Sequence, residues 1–465
     1  MSVATTSLAS GSFASESAEF WDPTNEHRYS SKATTAAVVI LAMQVLIPSG
    51  LPVPLRVLTV CVSLILLFQI VTVAPAANRS LLPILIGTFL AIQISSLARG
   101  TIPGERIFGL VTFAIPVFVI SILVTRIRQE HYDILRNSFI FIAAFQSAIA
   151  VSQFTLGWPL IWEWAGYDPG TILAGVNLLI PGARAHGSMG HAIPLSLICV
   201  LGIVYLLRDR TFKPYLRIAF LALLIVGIGV SGSRSPIFVL ILVLLCGIAL
   251  GAFPFAKIPV RFIAGFAATL TFLFVDIQSL TIVNSLGTSA SLANRLEAIP
   301  SFGRLFSRPL NEIMIGSGWM AEDSLRNASL IQERFAIDNG FVAAFAITGL
   351  FGLSVAVAML VKGLRLPDRG DKIAVLAFFA FLFSFDALQW QVPFSMLVIV
   401  LSFRTPDITP ATLATQRKEP SWECHWTHTQ NHDDSRQHGS PWIPSLYPVY
   451  AARDFGSPER VPVTK

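Results

Sequence analysis

Arginines and histidines stand where the long apolar runs of this chain break. Residues 181–194 read P-G-A-R-A-H-G-S-M-G-H-A-I-P and offer Arg184, His186 and His191, spaced by Gly182, Gly187 and Gly190. Glycine lets a backbone approach a ligand closely. Arginine presents a planar fork that fits phosphate oxygens, and histidine exchanges a proton near neutral pH. The same stretch also suits a flexible loop entering a helix, and loops of either kind are common.

Residues 230–238, V-S-G-S-R-S-P-I-F, place Arg234 in a short gap between two apolar runs. Ser231, Gly232, Ser233 and Ser235 surround it, and small hydroxyl residues allow close helix approach and supply donors. The pattern describes a polar notch at a membrane surface that can receive an anionic headgroup. The plainer alternative is an interfacial arginine snorkelling to lipid. A third stretch, 294–319, carries Arg295, Arg304 and Arg308. Leu292, Leu296 and Ile299 have helical spacing, which predicts a short amphipathic helix lying on the membrane. Arg304 and Arg308 are four apart and share a face if helical. Lipid-facing arginines on an interfacial helix are the competing reading. Gly316-Ser317-Gly318 is too short to be a phosphate loop.

The elements that position these residues follow from composition. The chain has 465 residues, 54% hydrophobic and 13% charged, where soluble domains carry about 25% charge. Apolar windows of roughly 20 residues recur, the length of a membrane-crossing helix. The fold class is therefore an all-α polytopic membrane protein, and the absence of apolar–polar alternation excludes a barrel. Spans are expected near 33–49, 54–75, 80–98, 106–125, 134–156, 191–207, 216–231, 236–254, 259–276, 338–361, 371–387 and 389–404, about twelve transmembrane helices within 33–404. Two large extracytoplasmic loops cover about 157–190 and 277–337. Residues 1–32 form an N-terminal segment without a signal-peptide pattern. Residues 405–465 have the polar, Pro-rich composition of a disordered tail.

Loop charge sets the orientation. Arg126 and Arg128, then Arg208, Arg210, Lys213 and Arg217, then Lys257 and Arg261, then Lys362, Arg365, Arg369 and Lys372 all fall on one face of the twelve-span plan. The positive-inside rule makes that face, and both termini, cytoplasmic. The net charge of +6 is thus an orienting charge, and no nucleic acid partner is expected. Arg234, on the outer face, runs against this trend. Ionisable residues inside spans are scarce, with Asp276 and Asp386 near outer ends, which argues against proton-coupled transport. Cys61, Cys199, Cys246 and Cys424 show neither a disulfide framework nor a zinc spacing. In the tail, Cys424, His425, His428, His432 and His438 read as a solvated segment without a closed ligand set.

Three segments together resemble the O-antigen polymerase and O-antigen ligase superfamily of bacterial envelope glycan enzymes. R-A-H-G-S-M-G-H-A-I-P is similar to the family's Arg-x-x-Gly stretch before a helix, and S-G-S-R-S-P to its Ser-Arg-Ser/Gly junction. N-R-L-E-A-I-P-S-F, S-R-P-L-N-E-I-M-I-G-S-G-W and D-N-G-F-V-A-A-F-A-I-T-G-L-F-G-L resemble its loop and following span. The likeness covers roughly residues 180–355, and its specificity lies in the order of short motifs.

The resemblance implies a glycosyltransferase at the outer face of the bacterial cytoplasmic membrane. A polyprenyl-diphosphate-linked glycan is the donor, a sugar hydroxyl the acceptor, and neither metal nor cofactor takes part. Arg184, Arg234 and Arg295 would bind the diphosphate, and His186 or His191 would activate the hydroxyl. Many relatives carry His-Asn where this chain has Asp338-Asn339, so Asp338 either replaces that base or pairs with a loop arginine. Partners beyond donor, acceptor and membrane lipids would be envelope polysaccharide assembly proteins. The competing readings are a ligase that transfers finished glycan, a lipid-linked glycan flippase or exporter, and a non-catalytic scaffold.

Overall fold

The computed structural model describes residues 23–47, 53–72, 81–97, 104–157, 184–209, 211–253, 300–319, 322–331 and 339–403. All of them belong to one compact unit, Met1–Thr405. Every regular element among them is helical. The longer helices are α1 (Pro23–Leu46), α2 (Val53–Val71), α3 (Leu82–Leu97), α4 (Gly104–Leu123), α5 (Tyr132–Leu156), α6 (Ala192–Arg208), α7 (Pro214–Ser231) and α8 (Ser235–Ala249). Two short helices, α9 (Leu310–Ile315) and α10 (Glu322–Asn327), precede α11 (Gly340–Leu364), α12 (Arg369–Phe381) and α13 (Gln391–Ser402).

Local chemistry fixes the helix ends. Pro214 opens α7 and Gly232, at φ 63°, closes it in the left-handed conformation glycine adopts without penalty. Asn339 caps α11 by accepting from the N–H groups of Phe341 and Val342, and Asp368 caps α12 through Asp371 N–H. Helices α5, α6 and α7 pack on one another, and α6 also meets α8 and α12. From Ala192 to Leu206 every residue of α6 is buried. Large apolar side chains such as Phe68, Ile84, Phe145, Ile218 and Phe351 point outward, which in water would be a liability and in lipid is the expected surface.

Six described helical segments are long and apolar enough to cross a membrane: His27–Leu46, Pro54–Val71, Ile107–Arg126, Gln129–Leu156, Pro214–Ser231 and Gly340–Leu364. Shorter apolar helices occupy Leu82–Ile94, Ala192–Arg208, Ser235–Ala249 and Gln391–Ser402. The expectation of about twelve spans is thus met only as a multi-helix membrane fold with six helices of spanning length among the described residues. The expected span at 259–276 lies outside the described residues. The first helix starts ten residues earlier than the expected 33, because Pro23 begins it and polar residues continue it.

The loop reading near 300 also changes. The amphipathic segment at 292–299 lies outside the described residues. Residues 300–304 are helical, then a 3₁₀ turn runs from Leu305 to Ser307 and Arg308 is extended at φ −69°, ψ 163°. Arg304 and Arg308 therefore do not line one helical face. Arg304 bonds Ser301 and the Leu330 carbonyl. Arg308 is buried and donates to the carbonyls of Leu305, Phe345 and Ala346 and to Ser317 Oγ.

Those bonds repair a break in α11. Gly349 sits at φ 63°, ψ −163° inside the helix, so carbonyls just before it lose their intrahelical partners. Ser317 N–H takes the Ala346 carbonyl at 2.9 Å and Gly318 N–H takes that of Ile347 at 3.1 Å. The glycines of the G-S-G sequence serve this close approach: a side chain on Gly316 would strike the Ile347 backbone.

Candidate functional site

The arginine corner is built by four helix ends. Ala185 N–H donates to the Val230 carbonyl at 3.0 Å, and Arg184 Nε donates to the Ser231 carbonyl at 3.1 Å. The loop at 184–190 therefore lies on the turn that carries Arg234. Arg234 is partly exposed and caps nothing. Its guanidinium has no hydrogen-bond or ion-pair partner among the described residues. Beside it the hydroxyl of Ser235 is buried, with no hydrogen-bond partner among the described residues. Two cations held in one corner, with no carboxylate bonded to Arg234, attract an anion.

Two glutamines of α5 hold the loop in shape. Gln153 Oε1 accepts from the N–H groups of His186 (3.2 Å) and Gly187 (3.0 Å), and its Nε2 donates to the Gly187 carbonyl at 2.8 Å. Gln146 Oε1 accepts from Ser188 N–H, while its Nε2 reaches Ser188 Oγ, both at 2.8 Å. Ser188 Oγ in turn donates to the Val45 carbonyl at the end of α1. Gly187, at φ 63°, leaves no room for a side chain, since a Cβ would lie 2.5 Å from Gln146 Oε1. His186 is buried in this turn.

His191 plays a distinct part. Its Nδ1 accepts from Ile193 N–H at 3.2 Å, so the ring caps α6. A neutral ring accepting there carries its proton on Nε2. The ring lies against Phe385 (centroids 5.8 Å) and Trp390 (5.3 Å), in the turn between α12 and α13. Burial pushes its pKa down to about 3, with the nearby Arg184 and His186 adding to the shift. That turn also meets the start of α11, where Gly340 N–H donates to the Leu382 carbonyl and a Cβ on Gly340 would strike the Phe385 carbonyl.

Of the residues the sequence marks, Arg184, His186, His191 and Arg234 thus gather at one end of the bundle, with Asn339 at the same end. Arg295 and Asp338 lie outside the described residues, as do Asp276 and the histidines of the tail. Gln146, Gln153, Ser188, Phe385 and Trp390 join the gathered residues without belonging to any of the sequence motifs that carry Arg234 or Arg295. The glutamines carry a legible signal, because polar side chains inside apolar spans are costly unless bonded. Comparison with known protein families, curated proteins and solved structures finds no match.

Proposed function

We propose that the chain is an integral membrane glycosyltransferase that polymerises polysaccharide repeat units delivered on polyprenyl diphosphate. The supporting observation is the corner itself: Arg184 is bonded to the turn that carries Arg234, and among the described residues no group bonds the Arg234 guanidinium. In this reading the two arginines, with Arg295 from the following loop, grip the diphosphate of the donor. The acceptor hydroxyl attacks the anomeric carbon, a C–O bond to the acceptor forms, and the bond to the diphosphate oxygen breaks. The electron pair leaves with the diphosphate, whose growing negative charge fixed guanidinium groups stabilise. The hydroxyl proton passes to a base. The capping bond makes His191 a donor at Nε2, so His186 is the better base of the two histidines, and Asp338 is the second candidate.

The finer topology belongs to the same proposal. About twelve spans place the corner on the outer face of a bacterial cytoplasmic membrane, with both termini inside and inner-loop arginines opposite. Cells lacking the protein are expected to accumulate single lipid-linked repeats and to lose long chains. Arg234→Ala, present in the membrane at normal amounts, is expected to reproduce that phenotype. Long chains left on the carrier lipid would identify a ligase instead. Repeats trapped on the cytoplasmic face, or normal chain lengths in Arg234→Ala, would overturn the assignment.

A further inference from the structure

At the end of the bundle opposite the arginine corner, α1 begins beside the turn that joins α4 to α5. That turn is a one-turn 3₁₀ helix, Gln129–His131, leading directly into α5. It brings Glu130 and His131 against His27, in the first turns of α1. We propose that His27, Glu130 and His131 form a binding site for a divalent transition metal of the zinc class. The ion fastens the start of α1 to the α4–α5 turn.

Geometry carries this. Zinc holds nitrogen and carboxylate oxygen at about 2.0–2.2 Å, so two tetrahedral ligand atoms stand about 3.4 Å apart. Glu130 Oε1 is 3.5 Å from His27 Nε2 and 3.7 Å from His131 Nδ1. Ligand atoms from all three residues lie within 4.8 Å of one another. The two rings meet edge to face with centroids 4.9 Å apart.

The surroundings favour the same use. His131 is buried, and Ser30 Oγ stands 3.1 Å from its Nδ1 while accepting the Arg128 N–H at 2.7 Å. In the tautomer that carries its proton on Nε2, His131 Nδ1 offers a lone pair and accepts from the Ser30 hydroxyl. When the ion binds, the Ser30 proton turns away and Ser30 Oγ keeps its bond from Arg128. His27 and Glu130 are exposed, giving the ion an entrance and leaving a coordination position for water. Arg128 Nη1, 3.9 Å from the same carboxylate oxygen, is a weak competitor, since exposed ion pairs contribute little. Two imidazoles and one carboxylate select zinc, nickel or copper over magnesium and calcium. The plain alternative is an ion pair between Glu130 and a protonated His27, which binds no metal.

The test uses the full chain, with Cys424, His425, His428, His432 and His438 replaced by alanine so that the tail adds no ligands. Purified in detergent and stripped with chelator, it is titrated with Zn²⁺ alone against a competing fluorescent chelator. One equivalent is expected to bind, undisturbed by excess Mg²⁺, and to raise the melting temperature. His27→Ala and Glu130→Gln change exposed side chains and leave the fold intact. Each is expected to weaken zinc at least tenfold and to abolish the thermal shift. No bound zinc, or zinc bound equally by His27→Ala, would overturn the proposal. Neither outcome bears on glycan transfer at the far end.

Discussion

His191 shows how one side chain can mark a site and build it. Its Nδ1 caps α6 and its ring lies on Phe385 and Trp390. An unfolded histidine titrates near 6.5, and the folded one near 3. A base whose folded pKa is depressed stabilises the fold above its unfolded pKa and loses that contribution as pH falls towards the folded value. The protein is therefore expected to lose melting temperature progressively from about pH 6.5 towards pH 3. His191→Asn keeps a capping acceptor and removes the titration, so its melting curve should be flatter over that range. An unchanged slope in the variant would assign the effect elsewhere. Arg234 belongs to the same scale: Arg234→Ala is expected to end chain growth without lowering stability, because the guanidinium bonds nothing among the described residues.

Among the elements, α11 is the one most dependent on a distant partner. Its break at Gly349 is closed by the peptide 316–318 and by the fork of Arg308. Gly316, at φ 78°, lies against the backbone of Ile347 and Thr348, and Gly349, at φ 63°, against that of Met314 and Gly316. Gly316→Ala or Gly349→Ala forces a Cβ into main-chain atoms, and overpacking of this kind costs about 1–3 kcal/mol or more. Each is expected to lower the melting temperature of the purified protein by several degrees and to reduce its yield; a neutral outcome at both would mean the break relaxes. This device was not legible in the sequence. A glycine within an apolar run reads as helix, and its partner stands more than thirty residues upstream. By contrast α5 to α8 were legible, because their apolar runs end in glycine, proline or charge. That Arg184 and Arg234 share a membrane surface could be read from the spans, but the bond from Arg184 to Ser231 needs the fold. Gln146 and Gln153 could have been read as loop holders, since each is a polar residue in the span that precedes the loop.

On the scale of the molecule, the two ends of the bundle are chemically unlike. One gathers Arg184, Arg234, His186 and His191. The other is tied by ion pairs: Arg136 bridges Asp371 (Nε to Oδ1 3.1 Å) and Asp133 (2.8 Å), and Arg208 meets Asp368 at 2.7 Å. The Arg136 guanidinium also lies over Phe403, at 4.7 Å. Asp371 is fully buried, and removing one partner of a buried pair costs about 3–5 kcal/mol. Arg136→Ala is expected to yield little folded protein, whereas Arg136→Met combined with Asp371→Leu should restore most of it. Thermal melting of the three proteins in one detergent measures this, and a double variant as weak as Arg136→Ala would mean that charge at this end does more than hold helices together.

The Arg136–Asp371 pair also spans time. The two residues stand 235 positions apart in the chain, and a ribosome adds about 5–20 residues per second. Arg136 thus leaves the ribosome roughly 10–50 seconds before its counterion exists. During that interval Arg136 has Asp133, three residues before it on α5, as its carboxylate partner. The ion pairs at this end close only when α12 arrives, so the last part of the chain completes contacts that the first half cannot make alone.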